Sequence, residues 1–143
     1  MTTPAQSDTR IPPATSRLAA LRGNCMGAAV LLIVQFGLGV GLNLYVTLPA
    51  HKSFFGTVFG SAVLTVHAIV ALALLGAAIG ALTRAIRARR AIAFTSAGLA
   101  AILAAAIFGV SFAGSQGNGA SLGMALATAA AMFCYLAAIF SLR

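Results

Sequence analysis

Acidic side chains are all but missing from this sequence. Among 143 residues there is one, Asp8, and it lies in an N-terminal stretch rich in Pro, Thr, Ser and Ala. No carboxylate side chain of the chain itself can therefore reach a site within its apolar segments. That excludes paired-carboxylate hydrolysis, carboxylate-held metal sites and carboxylate-based proton or cation coupling inside one chain. Charge of either sign is scarce: 7% of the residues are charged, where a soluble domain carries about 25%. Cysteine is nearly absent as well. Cys25 and Cys134 form no C-x-x-C pair, and both fall on the cytoplasmic half of the topology derived below, where thiols stay reduced.

What is present is apolar. Hydrophobic residues make up 61% of the chain and the mean hydropathy is +1.03. So few charges cannot cover a water-facing surface, and the composition is that of an integral membrane protein. A net charge of +8 with a pI near 11.5 resembles a nucleic-acid footprint, but these charges flank apolar runs. They read as topology-setting residues beside anionic headgroups, and no nucleic-acid partner is expected.

Residues 1–22 show no sustained apolar period and read as a disordered cytoplasmic tail. Arg17 and Arg22 precede an apolar run, as in a signal peptide. The run is about twice the length of a signal-peptide core and no A-x-A site follows, so it reads as an uncleaved first transmembrane helix. The remainder, residues 23–143, divides at its charges: 23–51 and 53–83 hold none apart from His51 and His67, and 91–142 holds none at all. At 1.5 Å per residue the last stretch would be a rod of ~78 Å, over twice the thickness of the hydrocarbon core. It must turn back, and Gly114-Ser-Gln-Gly-Asn-Gly119 supplies permissive backbone and polarity for the turn. The expected fold is all-α, a four-helix transmembrane bundle with helices at about 25–48, 56–83, 91–113 and 120–141. With both termini cytoplasmic, all eight arginines lie inside and only Lys52 outside, a strong positive-inside bias. The expected location is the plasma membrane, crossed several times.

His67 is the most informative residue, because an ionisable group in the middle of a transmembrane helix is by default a functional-site hypothesis. At 100° per residue, Gly56, Gly60, His67, Ala71 and Ala78 share a face. A small-residue stripe of this kind lets a neighbouring helix approach closely and the imidazole hydrogen-bond across. Its bland role is a neutral histidine bonded to a neighbour's amide or carbonyl; its sharper role is a ligand or proton relay. Candidate companions in a polar layer are Gln35, Asn43, Ser111, Met124 and Thr128, with Tyr45 and Ser121 near by. Isolated Ser and Thr can bond their own helix carbonyls, whereas carboxamides in hydrocarbon need partners. A haem b would require two axial ligands at similar depth. His51 and His67 differ in depth by ~20 Å, which leaves His67 with Met124, or His67 with its copy across a two-fold dimer.

Three small-xxx-small motifs, Gly37/Gly41, Gly56/Gly60 and Gly76/Gly80, are candidate helix-packing sites. The Gly60 and Gly76 faces are about 160° apart, so this helix is expected to pack on two sides. Arg84, Arg87, Arg89 and Arg90 form a cytoplasmic anchor suited to anionic lipid headgroups.

The segment Asn43-Leu-Tyr-Val-Thr-Leu-Pro-Ala-His51, together with Gly109-Val-Ser-Phe and Ser121-x-Gly-Met-Ala, resembles a group of uncharacterised small four-helix integral membrane proteins of actinobacteria. In that group an N-[LW]-[YFW]-V-T-[IL]-P segment ends the first helix and an acidic or amide-rich loop precedes the fourth. The resemblance covers most of residues 25–140 and implies a fold and an envelope location, with no activity attached. Here the loop after the first helix is short and free of carboxylates, which argues against a metal role for it.

The expected function is that of a polytopic membrane protein without enzymatic activity or cofactor. It would act by helix packing in the lipid bilayer, as a homo-oligomer or as an accessory subunit of a larger envelope complex. Two alternatives stand beside it: a small-solute transporter or binding protein with an outward polar layer, and a haem-b redox protein using His67. Transporter halves are expected to show internal symmetry. Gln, Asn and His sit in the first two helices, while the last two carry almost only Ser, Thr and Ala.

Overall fold

A computed structural model describes residues 14–45, 54–115 and 117–143. Five helices follow one another: α1 (Ala14–Tyr45), α2 (Phe54–Phe59), α3 (Ala62–Ala88), α4 (Ile92–Ser115) and α5 (Asn118–Ser141). Four of them, α1, α3, α4 and α5, are long and apolar enough to cross a membrane. The all-α fold with four spans is thus as expected, and the chain has the makeup of a multi-pass membrane protein. Asp8, Arg10, His51 and Lys52 lie outside the described residues.

Two boundaries differ from the sequence expectation. The first helix starts at Ala14 instead of near 25, so residues 14–22 are helical and not part of a disordered tail. Ala14–Arg22 is mostly Ala, Leu and Arg, all strong helix formers, and Leu21 within it is fully buried in the core. The expected helix 56–83 is broken in two at Gly60 and Ser61. Ser61 is extended at φ −129°, ψ 123°. The Thr65 hydroxyl bridges the break, donating to the carbonyls of Val58 at 2.9 Å and Ser61 at 3.0 Å. A glycine carries the largest backbone-entropy penalty in a helix, and here a neighbouring hydroxyl satisfies the carbonyl freed by the interruption.

At the opposite end α3 reverses into α4 across Arg89, Arg90 and Ala91. The Arg89 amide donates to Ile86 and the Arg90 amide to Ala85, the pairing of a Schellman motif. Arg89 and Ala91 both sit at positive φ, 51° and 57°, in the left-handed region that glycine ordinarily occupies.

The spans form a ring in which α1 packs on α3, α3 on α4, α4 on α5 and α5 on α1. Buried positions recur alternately three and four residues apart: Leu21, Cys25, Ala28, Leu32 and Gln35 on α1; Leu74, Ala78, Ala81 and Ala85 on α3; Thr95, Gly98 and Ile102 on α4; Thr128, Ala131, Tyr135 and Ala138 on α5. A 3.5-residue repeat on every helix is the seam of a left-handed bundle. The inward face is chosen by size. Ala, Gly, Cys and Thr dominate it, while large residues such as Ile33, Leu72, Ile107 and Phe133 point outward. Lipid is as apolar as leucine, so helix association rests on close packing, which small residues permit.

Candidate functional site

Gln35 and His67 meet across the α1–α3 contact. The Gln35 amide Nε2 donates to His67 Nε2 at 2.8 Å, which places the imidazole's own proton on Nδ1. Both residues belong to the inward stripes, because His67 continues the spacing of Leu74, Ala78 and Ala81 by way of Ala71. Gly39, one turn beyond Gln35, lies beside the ring: a Cβ there would stand 3.5 Å from His67 Cε1, an ordinary van der Waals contact. Gln35 is 9% exposed. The remaining polar atoms of the pair, Gln35 Oε1 and His67 Nδ1, are buried with no hydrogen-bond partner among the described residues. The dyad therefore offers one acceptor and one donor beyond its internal bond.

The other expected members of a polar layer do not join it. Asn43 and Ser111 are exposed on their helices. Met124 is half-buried, and its Sδ faces α4, 3.5 Å from where a Cβ on Gly109 would sit. Thr128 is buried but donates to its own helix at the Met124 carbonyl, 2.8 Å away, the local bonding open to any helical threonine. His67 and Met124 stand on α3 and α5, the diagonal pair of the ring. With Nε2 engaged by Gln35 and the thioether turned to α4, these two side chains are not arranged as two axial ligands of one iron. Among the described residues no three His, Cys, Asp or Glu side chains come together, and Cys25 and Cys134 are both free thiols.

A second interhelical clamp was not singled out from the sequence. Asn24 Nδ2 donates to the Ala77 carbonyl of α3 at 3.1 Å. Gly80 lies against this bond: a Cβ there would come within 3.1 Å of that nitrogen and 3.2 Å of Arg84 Nη1, tighter than ordinary contact. The signal was present in spacing: Asn24 and Gln35 are eleven residues apart, about 20° around a helix, so two carboxamides share the face that meets α3.

The glycine motifs fare unevenly. Gly80 is a genuine close approach, whereas a Cβ on Gly37, Gly41 or Gly76 would meet nothing within 4 Å. Gly56 and Gly60 are exposed and lie before the Ser61 break, so they do not share a continuous stripe with His67 as the helical projection implied. The tight contacts are elsewhere, between α4 and α5. A Cβ on Gly98 would fall 2.8 Å from the Tyr135 ring, and one on Gly123 2.8 Å from the Phe108 ring. Gly98 has no glycine four residues away, with Phe94 and Ile102 in those places, whereas Gly119 and Gly123 form a further pair at that spacing that was not singled out from the sequence.

Arg84, Arg87, Arg89 and Arg90 are exposed at the α3–α4 reversal. Asn24 meets Ala77 and Gln35 meets His67, so α1 and α3 run antiparallel, and Leu142 lines a groove with Leu18 and Arg22; this reversal is thus at the same end of the bundle as the N-terminal turns of α1 and the end of α5. Arg17, Arg22 and Arg143 therefore gather there too.

No protein-family model, curated protein or solved structure matches this chain.

Proposed function

We propose that the chain is a plasma-membrane component without enzymatic activity or cofactor, acting by helix packing as a homo-oligomer or as an accessory subunit of an envelope complex. The observation that carries this reading is the Gln35–His67 bond. The ionisable side chain that most suggested chemistry is engaged in joining two helices, and Asn24 does the same three turns away. The bland role of the histidine is thus the better supported one. The envelope location accords with the resemblance of the Asn43–His51 segment to the actinobacterial four-helix group.

In its native membrane the chain should be captured by cross-linking in a discrete assembly heavier than the 14.3 kDa of one copy. Native mass spectrometry of the extracted, cross-linked material is the measurement. Recovery of single copies alone, under conditions that trap a known oligomer, would contradict the proposal.

The orientation within this reading follows the arginines. With the arginine-bearing end in the cytoplasm, Lys52 faces out. A cysteine at position 52, with Cys25 and Cys134 replaced by alanine, is expected to react with an impermeant maleimide in intact cells. Reaction only after permeabilisation would invert the topology.

A second reading, binding of a small uncharged solute, is favoured by one observation: Gln35 Oε1 and His67 Nδ1 have no partner among the described residues. A buried acceptor and a buried donor are each free to hydrogen-bond a solute, and leaving either unmade is unfavourable in a dry interior.

A further inference from the structure

We propose that the groove between the first half of α1 and the end of α5 binds one anionic phospholipid, with its phosphate on Arg22 and an acyl chain laid along Met26 and Leu142. The groove has a volume of about 480 Å³ and is lined by Leu18, Ala19, Arg22, Gly23, Met26 and Leu142. That is within the range of ligand sites, about 300 to 1,000 Å³. Its order is amphipathic along the helix axis. Leu18, Arg22 and Met26 recur every four residues and stand on one face of α1, while Ala19 and Gly23 form a floor without bulk.

Its depth suits a phosphate. The charge-free run 23–51 begins immediately after Arg22, and the charge-free run 91–142 ends immediately before Arg143. Both runs stop at this groove, so Arg22 stands at the boundary between hydrocarbon and headgroups with Met26 one turn inside. Arg143 folds back over the Phe140 ring at 4.5 Å, adding a second positive charge beside Leu142. No carboxylate side chain occurs among the described residues, since Asp8 is the chain's only acid. No carboxylate side chain is among the residues that line the groove, and a guanidinium presents paired donors that match a phosphate. The arginines of the α3–α4 reversal carry charge without lining this groove.

The test uses the full chain in bilayers of mixed phosphatidylglycerol and phosphatidylcholine, released into the mass spectrometer with its bound lipid. One phosphatidylglycerol should be retained per chain in preference to phosphatidylcholine. Arg22→Gln is expected to weaken retention about fivefold, the equivalent of the ~1 kcal/mol that a basic residue contributes at an anionic surface. Gly23→Leu fills the groove and leaves every charge in place. No atom lies within 4 Å of a Cβ at that position, so the side chain starts from open space, and retention should be lost. Ala19→Leu serves as an independent filling variant, with helical circular dichroism confirming the fold of each. Lys52→Gln, which removes one charge from the loop expected on the opposite side of the membrane, should hold lipid within twofold of the unaltered chain, and inorganic phosphate should not displace it. Equal retention of phosphatidylcholine would overturn the proposal. So would normal retention in both folded filling variants, or equal losses in Lys52→Gln and Arg22→Gln.

Discussion

Truncating Tyr135 to alanine is expected to destabilise the bundle by about 3 to 5 kcal/mol, the range for removing a buried aromatic ring. Tyr135 is fully buried in a core whose other members are mostly Ala, with Leu and Ile at its ends. Among the described residues it is the largest fully buried side chain, filling space that residues such as Ala78, Ala81, Ala131 and Ala138 leave open. Small neighbours cannot expand into the void, so most of the lost contact would stay lost. The phenol oxygen tells a different story. It is buried with no hydrogen-bond partner among the described residues, and deleting an unpaired polar atom removes an unfavourable term. Tyr135→Phe should therefore be as stable as the unaltered chain or more so. Unfolding in detergent, followed by circular dichroism, reads both variants. A loss of more than about 2 kcal/mol in Tyr135→Phe would mean that the hydroxyl has a partner worth more than an ordinary hydrogen bond.

Gly98→Ala probes the same ring from the other side. The added Cβ would stand 2.8 Å from Tyr135 Cε2 and 3.1 Å from Cζ, closer than packed carbon atoms allow, and the ring has no exposed direction in which to turn. The helices α4 and α5 would have to separate, at an overpacking cost of about 1 to 3 kcal/mol. Alanine also favours helix over glycine by about 1 kcal/mol, which would mask part of the effect. The proper reference is Gly37→Ala, which gains the same propensity in open space. Gly98→Ala should fall below Gly37→Ala by about 1 to 3 kcal/mol. Gly123→Ala should fall between them, because the Phe108 ring it meets is 39% exposed and can swing outward. Equal stability of the Gly98 and Gly37 variants would show that α4 and α5 do not pack as closely as described.

The spans were legible because charge and length leave no choice. A 52-residue run without charge must fold back, and it does so where glycine and polar residues cluster: α4 ends at Ser115 and α5 begins at Asn118. The break at Gly60–Ser61 was not legible, because apolar residues continue through it and the capping hydroxyl of Thr65 comes from the following turn. The inward faces were hidden for a related reason. In a soluble helix polarity marks the outside, but here Ile33 faces outward and Leu32 inward with nearly equal hydropathy. Only the 3.5-residue recurrence of small residues distinguishes the two sides.

The site was legible in part. His67 stood out as an ionisable group in an apolar run, and Gln35 as an amide requiring a partner. Joining the two needed the relative register of α1 and α3, which counting residues from the membrane boundary gave only to within about a turn. In the fold the ring lies between Gln35 and Gly39. Asn43, Ser111, Met124 and Thr128 were grouped with it by depth alone, and depth does not say which way a side chain points around its helix.

A double-mutant cycle between Gln35 and His67 tests most directly the claim that the polar residues of this core act by joining helices. Gln35→Leu, His67→Leu and the double variant would be unfolded in detergent beside the unaltered chain. The predicted coupling is favourable, about 0.6 to 1.7 kcal/mol, the scale of hydrogen bonds between membrane helices. His67→Gln, which keeps a donor and an acceptor, should preserve the assembly. Strictly additive losses would contradict the account, and so would a folded His67→Gln variant that had lost a bound chromophore or a measurable solute flux.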